Sequence, residues 1–129
     1  MLFVPAQSQT LLILCVDDEV QVLGVVTETL RAEGHEVQTA VDGTHALQKL
    51  ALESRSFDLI IADARMPCLD GWRFLMQARA GGYEGKIIVF SAYMDDAERQ
   101  RYHNLNIDRI IDKPDARALV QAVNDLAGM

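Results

Sequence analysis

The chain has 129 residues, half of them hydrophobic and 24% charged, which is the composition of an ordinary globular domain. This length fits one domain and leaves no room for a second. The formal net charge is −7, and an acidic surface repels nucleic-acid phosphates and anionic lipids, so we expect neither nucleic acid nor a membrane to be a partner of this domain.

The chain begins with residues 1–10, which lack the basic start and the long apolar stretch of a signal peptide. We therefore predict a lead-in segment over residues 1–10 and a single domain over residues 11–127. No apolar run approaches the roughly 18 residues that a membrane-spanning helix needs. Cys15 and Cys68 have neither CxxC nor metal-ligand spacing, which predicts a reduced, cytoplasmic protein without a disulfide or a zinc site.

Five short apolar segments follow, and they are typical of strands buried on both faces of a sheet. The second segment is weaker, since only Val37 and Ala40 are apolar, and it suits an edge strand. The segments cover residues 11–16, 36–40, 58–62, 86–90 and 109–111.

Each apolar segment is followed by a stretch whose apolar side chains repeat at helical spacing. The fourth stretch, residues 95–104, has so little apolar content that we expect it to pack lightly and to be a candidate moving part. The five stripes are Leu23, Val26 and Leu30; Ala46, Leu47 and Leu50; Leu75 and Ala78; Ala97 and Tyr102; and Leu119, Ala122, Val123 and Leu126.

Five strands alternating with five helices predict a doubly wound α/β fold, in which helices cover both faces of a five-stranded parallel sheet. In such sheets, ligands bind beyond the carboxyl ends of the strands. The side chains at those ends are three acids, a hydroxyl and a lysine. They are Asp17 and Asp18 after the first strand, Asp63 after the third, Ser91 after the fourth and Lys113 after the fifth.

The three acids suggest a metal site, because neighbouring carboxylates repel one another unless a cation lies between them. Mg²⁺ prefers a few carboxylate oxygens together with waters and a phosphate. A carboxylate beside Mg²⁺ is also a reasonable nucleophile towards phosphorus, and the Lys113 ammonium and the Ser91 hydroxyl can contact the outer oxygens of a phosphoryl group.

Four motifs in order make the chain resemble the response-regulator receiver family. The resemblance covers residues 11–126, and the D-x-x-M-P-x-x-D-G pattern alone is specific to that family. It implies a flavodoxin-like (βα)5 fold with strand order 2-1-3-4-5. The motifs are VDDE at residues 16–19, LIIADARMPCLDG at 59–71, VFSA at 89–92 and DKP at 112–114.

The resemblance also implies a role for each site residue. Asp63 would be the phosphoacceptor, and Asp17, Asp18, Asp63 and the backbone carbonyl of Arg65 would hold Mg²⁺. Ser91 would be the switch hydroxyl and Lys113 the phosphate-binding lysine, preceding a cis Lys113–Pro114 bond. A histidine kinase or a histidine phosphotransfer protein would supply the phosphoryl group, and the output partner is not identified.

Three positions depart from the usual family pattern. The switch aromatic is replaced by Ile110, so we expect a weakened aromatic switch. Arg65 and Tyr93 lie where family side chains line the entrance to the site and influence the lifetime of the phosphoryl group.

Two other functions are alternatives to a phosphoacceptor receiver. A Mg²⁺-dependent phosphatase with an aspartyl nucleophile needs a second acid two residues past that nucleophile, and Arg65 occupies this position. A degenerate receiver that serves only for protein interaction would keep the fold without the chemistry, yet every acceptor-site residue is present. We therefore expect a signalling protein that catalyses only its own phosphorylation and dephosphorylation.

Several other residues favour plain structural roles. Asp70 and Gly71 are predicted to be a helix cap and a turn, and Cys68 an inert loop thiol. Trp72 is expected to pack while partly exposed. The three histidines share no helical face, which predicts surface positions for His35, His45 and His103.

Overall fold

The computed structural model describes residues 10–128. The predicted lead-in therefore lies outside the described residues, apart from the exposed Thr10. Five strands alternate with five helices: β1 Leu12–Val16, α1 Val20–Ala32, β2 Glu36–Ala40, α2 Gly43–Leu52, β3 Leu59–Ala62, α3 Gly71–Ala80, β4 Lys86–Ser91, α4 Asp96–His103, β5 Arg109–Asp112 and α5 Ala116–Ala127.

The strands form one parallel sheet in the order β2-β1-β3-β4-β5, which confirms the predicted fold class and strand order. Every residue of β1 is buried, because successive side chains point to opposite faces and both faces are covered. Leu12, Leu14 and Val16 join a core shared with Phe74 of α3. Ile13 belongs to the opposite core, beside α1 and α5.

The two outer strands are less buried than the central ones. In β2, Val37 and Ala40 are the buried positions, as predicted for an edge strand. The fifth strand was predicted to be buried on both faces, and that prediction is wrong: Arg109 and Asp112 are exposed and the two isoleucines between them are half-buried. The cause is position, because β5 forms the other edge of the sheet and is paired only with β4.

Helix α4 is attached to the sheet by little apolar surface. Within its eight residues only Tyr102 is buried, in agreement with the predicted light packing. Met94, just before the N-cap Asp95, is also buried, and the sequence did not identify it as a core residue.

One predicted surface histidine is in fact buried. His35 has a relative exposure of 6%, and its Nδ1 accepts a hydrogen bond from the Leu11 backbone N–H at 3.1 Å. The prediction failed because the imidazole supplies the acceptor for a backbone group just before β1. Within residues 10–128, no helix combines the length and the apolar content required to cross a bilayer.

Candidate functional site: an acidic cluster at the carboxyl ends of the strands

The register of the sheet brings the ends of β1 and β3 together. Val16 pairs with Ala62, and the residue that follows each of them is an aspartate. The Asp17 N–H donates to the Ala40 carbonyl at 3.1 Å, and the Asp63 N–H donates to the Val16 carbonyl at 3.0 Å. These backbone bonds extend the ladder by one residue, so both aspartates lie at the same edge of the sheet.

Three carboxylates converge at this edge. One oxygen from each of Asp17, Asp18 and Asp63 lies within 4.8 Å of the other two. Asp17 and Asp63 are buried, at 5% and 4% relative exposure, whereas Asp18 is exposed. Two of the acids are thus shielded from solvent, and the third faces it.

Lys113 is the cation within this cluster. Its Nζ lies 2.8 Å from Asp17 Oδ2, 3.2 Å from Glu19 Oε1 and 3.5 Å from Asp63 Oδ2. The lysine follows β5, and its bond to Pro114 is cis, as predicted. Glu19 was part of a sequence motif but had no predicted role, and its contact with Lys113 depends on chain segments 94 residues apart.

Burial and neighbouring charges shift the pKa values of Asp17 and Lys113. Burial raises the pKa of Asp17 despite the hydrogen bonds that its carboxylate accepts from Lys113 and from the Glu19 N–H, and the neighbouring Asp63 charge raises it further. Burial lowers the pKa of Lys113, but its contacts with Asp17, Asp63 and Glu19 together outweigh burial and raise it. The lysine is therefore held in its charged form.

Asp63 has two further polar neighbours. The Ser91 hydroxyl donates to Asp63 Oδ1 at 3.0 Å, and both side chains are buried. The Arg65 N–H lies 3.4 Å from the same oxygen. The loop after β3 passes very close to α3, since a Cβ added at Gly71 would overlap the Asp63 carbonyl oxygen and the Ala64 Cα. Asp70 caps α3 through its bond from the Arg73 N–H, as predicted.

Arg65 and Tyr93, the two residues predicted at the entrance, lie close together, and Tyr93 is 76% exposed. The Arg65 guanidinium donates to both carboxylate oxygens of Glu98 in α4, at 2.8 and 2.9 Å. It also lies 3.4 Å from the Tyr93 carbonyl oxygen. Sequence reasoning missed Glu98, because no local pattern reveals a partner 33 residues away.

The position of the expected switch aromatic has no ring. Ile110 is half-buried in β5 and packs at the margin of the core that contains Tyr102. Tyr102 is the buried aromatic of α4, with 4% relative exposure. Trp72 opens α3 and is partly exposed, as predicted.

The comparisons with known proteins agree with this geometry. The family model described as "Response regulator receiver domain" matches residues 13–124. The chain belongs to this family.

As a receiver domain, it is similar over most of its length to known regulators. It is 37% identical over 102 residues to the transcriptional regulatory protein PrrA of Mycobacterium tuberculosis, covering 79% of this chain and 43% of PrrA. The chain thus matches less than half the length of that relative. Two-component regulators of this kind carry receiver domains, and this one has the acidic pocket of the family.

Solved structures support the fold independently. The Vibrio cholerae chemotaxis protein CheY4 is 26% identical, with a TM-score of 0.84 over 92% of this chain and 99% of that chain. The response regulator TrrA of Thermotoga maritima is 31% identical, with a TM-score of 0.78 over 91% of this chain and 99% of that chain. The TrrA structure is a complex with Mg²⁺-BeF.

The donor set of the receiver site fits a divalent cation. Its carboxylate oxygens are the hard ligands that Mg²⁺ prefers. Asp17, Asp63 and Glu19 contact a single ammonium group, that of Lys113, and Asp18 lies beside the other two aspartates, so negative charge is in excess. A cation bound by the three aspartates would reduce that excess.

Proposed function

We propose that Asp63 accepts a phosphoryl group and that this modification switches partner binding by the receiver domain. The supporting observation is the convergence on one buried carboxylate of Asp17, Ser91 and Lys113, each from a different strand end. The receiver domain comprises residues 11–127, with residues 1–10 as a lead-in. It acts as a signalling phosphoacceptor that catalyses only its own phosphorylation and dephosphorylation.

In the proposed reaction, an Asp63 carboxylate oxygen attacks the phosphorus of a phosphohistidine. The new O–P bond forms as the N–P bond breaks, and the imidazole nitrogen leaves with the electron pair of that bond. The phosphohistidine belongs to a histidine kinase or a histidine phosphotransfer protein, which meets the domain in the cytoplasm. Ser91 and Lys113 bind the outer oxygens of the transferred group, since the hydroxyl and the ammonium both donate hydrogen bonds.

Asp17, Asp18 and Asp63, with the backbone carbonyl of Arg65, would hold Mg²⁺. When bound, Mg²⁺ supplies positive charge that offsets the carboxylates and the phosphoryl oxygens. Lys113 already contacts two of these aspartates, so its ammonium remains beside the group on which charge accumulates.

The two competing functions are less consistent with the site. The phosphatase mechanism needs an acid two residues after the nucleophile, and the Arg65 side chain there is paired with Glu98. A degenerate receiver would have lost at least one member of the site. Here the Asp63 carboxylate lies 3.0 Å from the Ser91 hydroxyl and 3.5 Å from the Lys113 ammonium.

Labelling with acetyl phosphate tests this proposal. Wild-type protein should incorporate phosphate in the presence of Mg²⁺ and lose the ability when the metal is chelated. Asp63→Asn should not label, since it keeps the size of the side chain but loses the nucleophile. Asp70→Asn is the matched control, because Asp70 caps α3 outside the cluster and asparagine is an equally good cap. Normal labelling of Asp63→Asn would overturn the proposal.

A further inference from the structure

Helix α4 is held near the site by charged side chains rather than by apolar packing. Glu98 pairs with Arg65 of the loop after β3, and Arg99 pairs with Asp112 at 3.1 Å. The Arg101 guanidinium lies 4.4 Å from the centroid of the Trp72 ring, whose Nε1 donates to the Arg101 carbonyl at 3.1 Å. The position of the helix therefore depends on a few polar contacts at its surface.

One of these contacts starts directly beside the nucleophile. The Arg65 N–H lies 3.4 Å from Asp63 Oδ1, while its guanidinium extends to Glu98. The guanidinium also approaches the carbonyl of Tyr93, two residues beyond Ser91. Arg65 thus connects the acceptor carboxylate, the chain after the switch hydroxyl and the first turn of α4.

We propose that the Arg65 side chain binds the phosphoryl oxygens on Asp63 and leaves Glu98 when it does so. The exchange frees the first turn of α4 from the entrance of the site. This inference rests on the proposed function, because it requires phosphorylation of Asp63. It identifies Arg65 as a phosphoryl-binding residue through its side chain, in addition to its backbone carbonyl.

Charge and exposure favour the exchange. The arginine and glutamate side chains are 55% and 33% exposed, and ion pairs at such exposure are weak because water screens them. A phosphoryl group carries between one and two negative charges and three strong acceptor oxygens. The planar guanidinium fork matches those oxygens as well as it matches a carboxylate. The carboxylate that would carry the phosphoryl group is also less exposed than Glu98, since Asp63 is buried.

Residue 110 is an isoleucine and offers no ring. An exchange at Arg65 reaches α4 directly through Glu98, whereas Ile110 lies in β5 and has no polar atom on its side chain. Releasing one of the polar contacts of α4 would change its average position, because apolar burial within the helix is confined to Tyr102.

Two independent signals can follow the exchange, with Mg²⁺ and beryllium fluoride as the probe. Fluorine NMR of the bound fluoroberyllate measures anion affinity at the acceptor. Fluorescence of Trp72, the single tryptophan, measures the environment of α4, because its ring is stacked against Arg101. Wild-type protein should bind the anion and change its tryptophan emission.

Substitutions of Arg65 and of Glu98, the two members of the ion pair, should have opposite effects on anion affinity. Arg65→Gln should weaken binding roughly tenfold, since it removes a charged donor to the anion. Glu98→Gln should strengthen binding roughly twofold, since it removes the competitor for Arg65. Arg65→Lys should lie between wild type and Arg65→Gln, because the charge remains but the fork is lost. In Arg65→Gln and Glu98→Gln alike, the tryptophan emission without the anion should already be shifted.

Arg55→Gln is the matched control, because Arg55 forms an exposed pair with Glu36 at the start of the edge strand β2. Arg55 itself precedes β3, so this pair lies at the end of the strands opposite to the site. It should leave both signals unchanged. If Arg65→Gln and Glu98→Gln weaken anion binding equally, or if neither changes it, the exchange is wrong while phosphorylation at Asp63 stands. If the wild-type protein binds no fluoroberyllate, the proposed function itself fails.

Discussion

The Lys113 ammonium lies 2.8 Å from Asp17 Oδ2, with the two side chains only 12% and 6% exposed. The other ion pairs of the described residues that lie outside the acidic cluster are considerably more exposed. This pair joins the ends of β5 and β1 across the carboxyl edge of the sheet. Lys113 therefore stabilises the cluster itself and stands where a phosphoryl group on Asp63 would arrive.

Lys113→Met tests the structural part of that role. Methionine keeps much of the side-chain length but leaves the buried Asp17 and Asp63 without their cationic partner. We expect the free energy of unfolding of the metal-free protein at neutral pH to fall by about 3 kcal/mol, because removing one partner of a buried pair leaves the other charge uncompensated. Urea unfolding in the presence of a chelator measures this, and an unchanged midpoint would contradict it.

The difference in stability between wild type and Lys113→Met should also depend on pH, in a direction that the pKa of Lys113 determines. The acidic neighbours raise the pKa of Lys113 above its ordinary value of 10.5. Its contribution to stability is thus fully present below pH 10.5 and is lost as the pH rises through the raised pKa. The stability difference between wild type and Lys113→Met should therefore shrink above pH 10.5. A difference that widens in that range would be inconsistent with the ion pair.

Gly71→Ala tests the close approach of the loop after β3 to α3. The added Cβ would overlap backbone atoms of Asp63 and Ala64, which cannot move aside without displacing the acceptor. We expect a loss of about 1–3 kcal/mol in unfolding free energy and weaker Mg²⁺ binding in a metal titration.

Gly24→Ala is the control for Gly71→Ala. Gly24 lies inside α1, and a Cβ there meets nothing within 4 Å. The substitution should stabilise the protein by about 0.5–1 kcal/mol, since alanine is the better helix former. Equal effects of the two substitutions would show that the backbone contact at Gly71 is unimportant.

Because residue 110 is an isoleucine and not an aromatic, we expect it to have a structural role only. Ile110→Ala should cost about 1 kcal/mol of stability, because the side chain is half-buried, yet it should leave phosphorylation and partner binding intact. Ile110→Tyr should also label normally. Pull-down of partners with and without phosphorylation measures the output. If Ile110→Ala labels normally but loses partner binding, Ile110 is itself the switch.

Much of the fold follows from local patterns in the sequence. The apolar segments and helical stripes identified every strand and helix, because burial on both sides of a parallel sheet leaves a strong periodic signal. The order of strands required the family resemblance. His35 was misplaced, since the need of the Leu11 N–H for a buried acceptor arises only after β1 and β2 are aligned.

The candidate site likewise has one part that the sequence predicts and one part that it does not. Asp17, Asp63 and Lys113 stand at strand ends, so the sheet topology alone brings them together. The pairing of Arg65 with Glu98 depends on where α4 lies across the loop after β3. No local sequence pattern encodes that distance, because Arg65 lies in a loop and Glu98 on a helix 33 residues later.

The site of phosphorylation is the central claim, and chemical trapping tests it most directly. Reduction of an aspartyl phosphate with borohydride converts that aspartate to homoserine, which peptide mass spectrometry locates in the sequence. After labelling with Mg²⁺ and acetyl phosphate, the protein should contain homoserine at position 63, while Asp17 and Asp18 remain unmodified. Homoserine at another aspartate, or phosphate incorporated without any homoserine at position 63, would contradict the assignment of Asp63 as the phosphoacceptor.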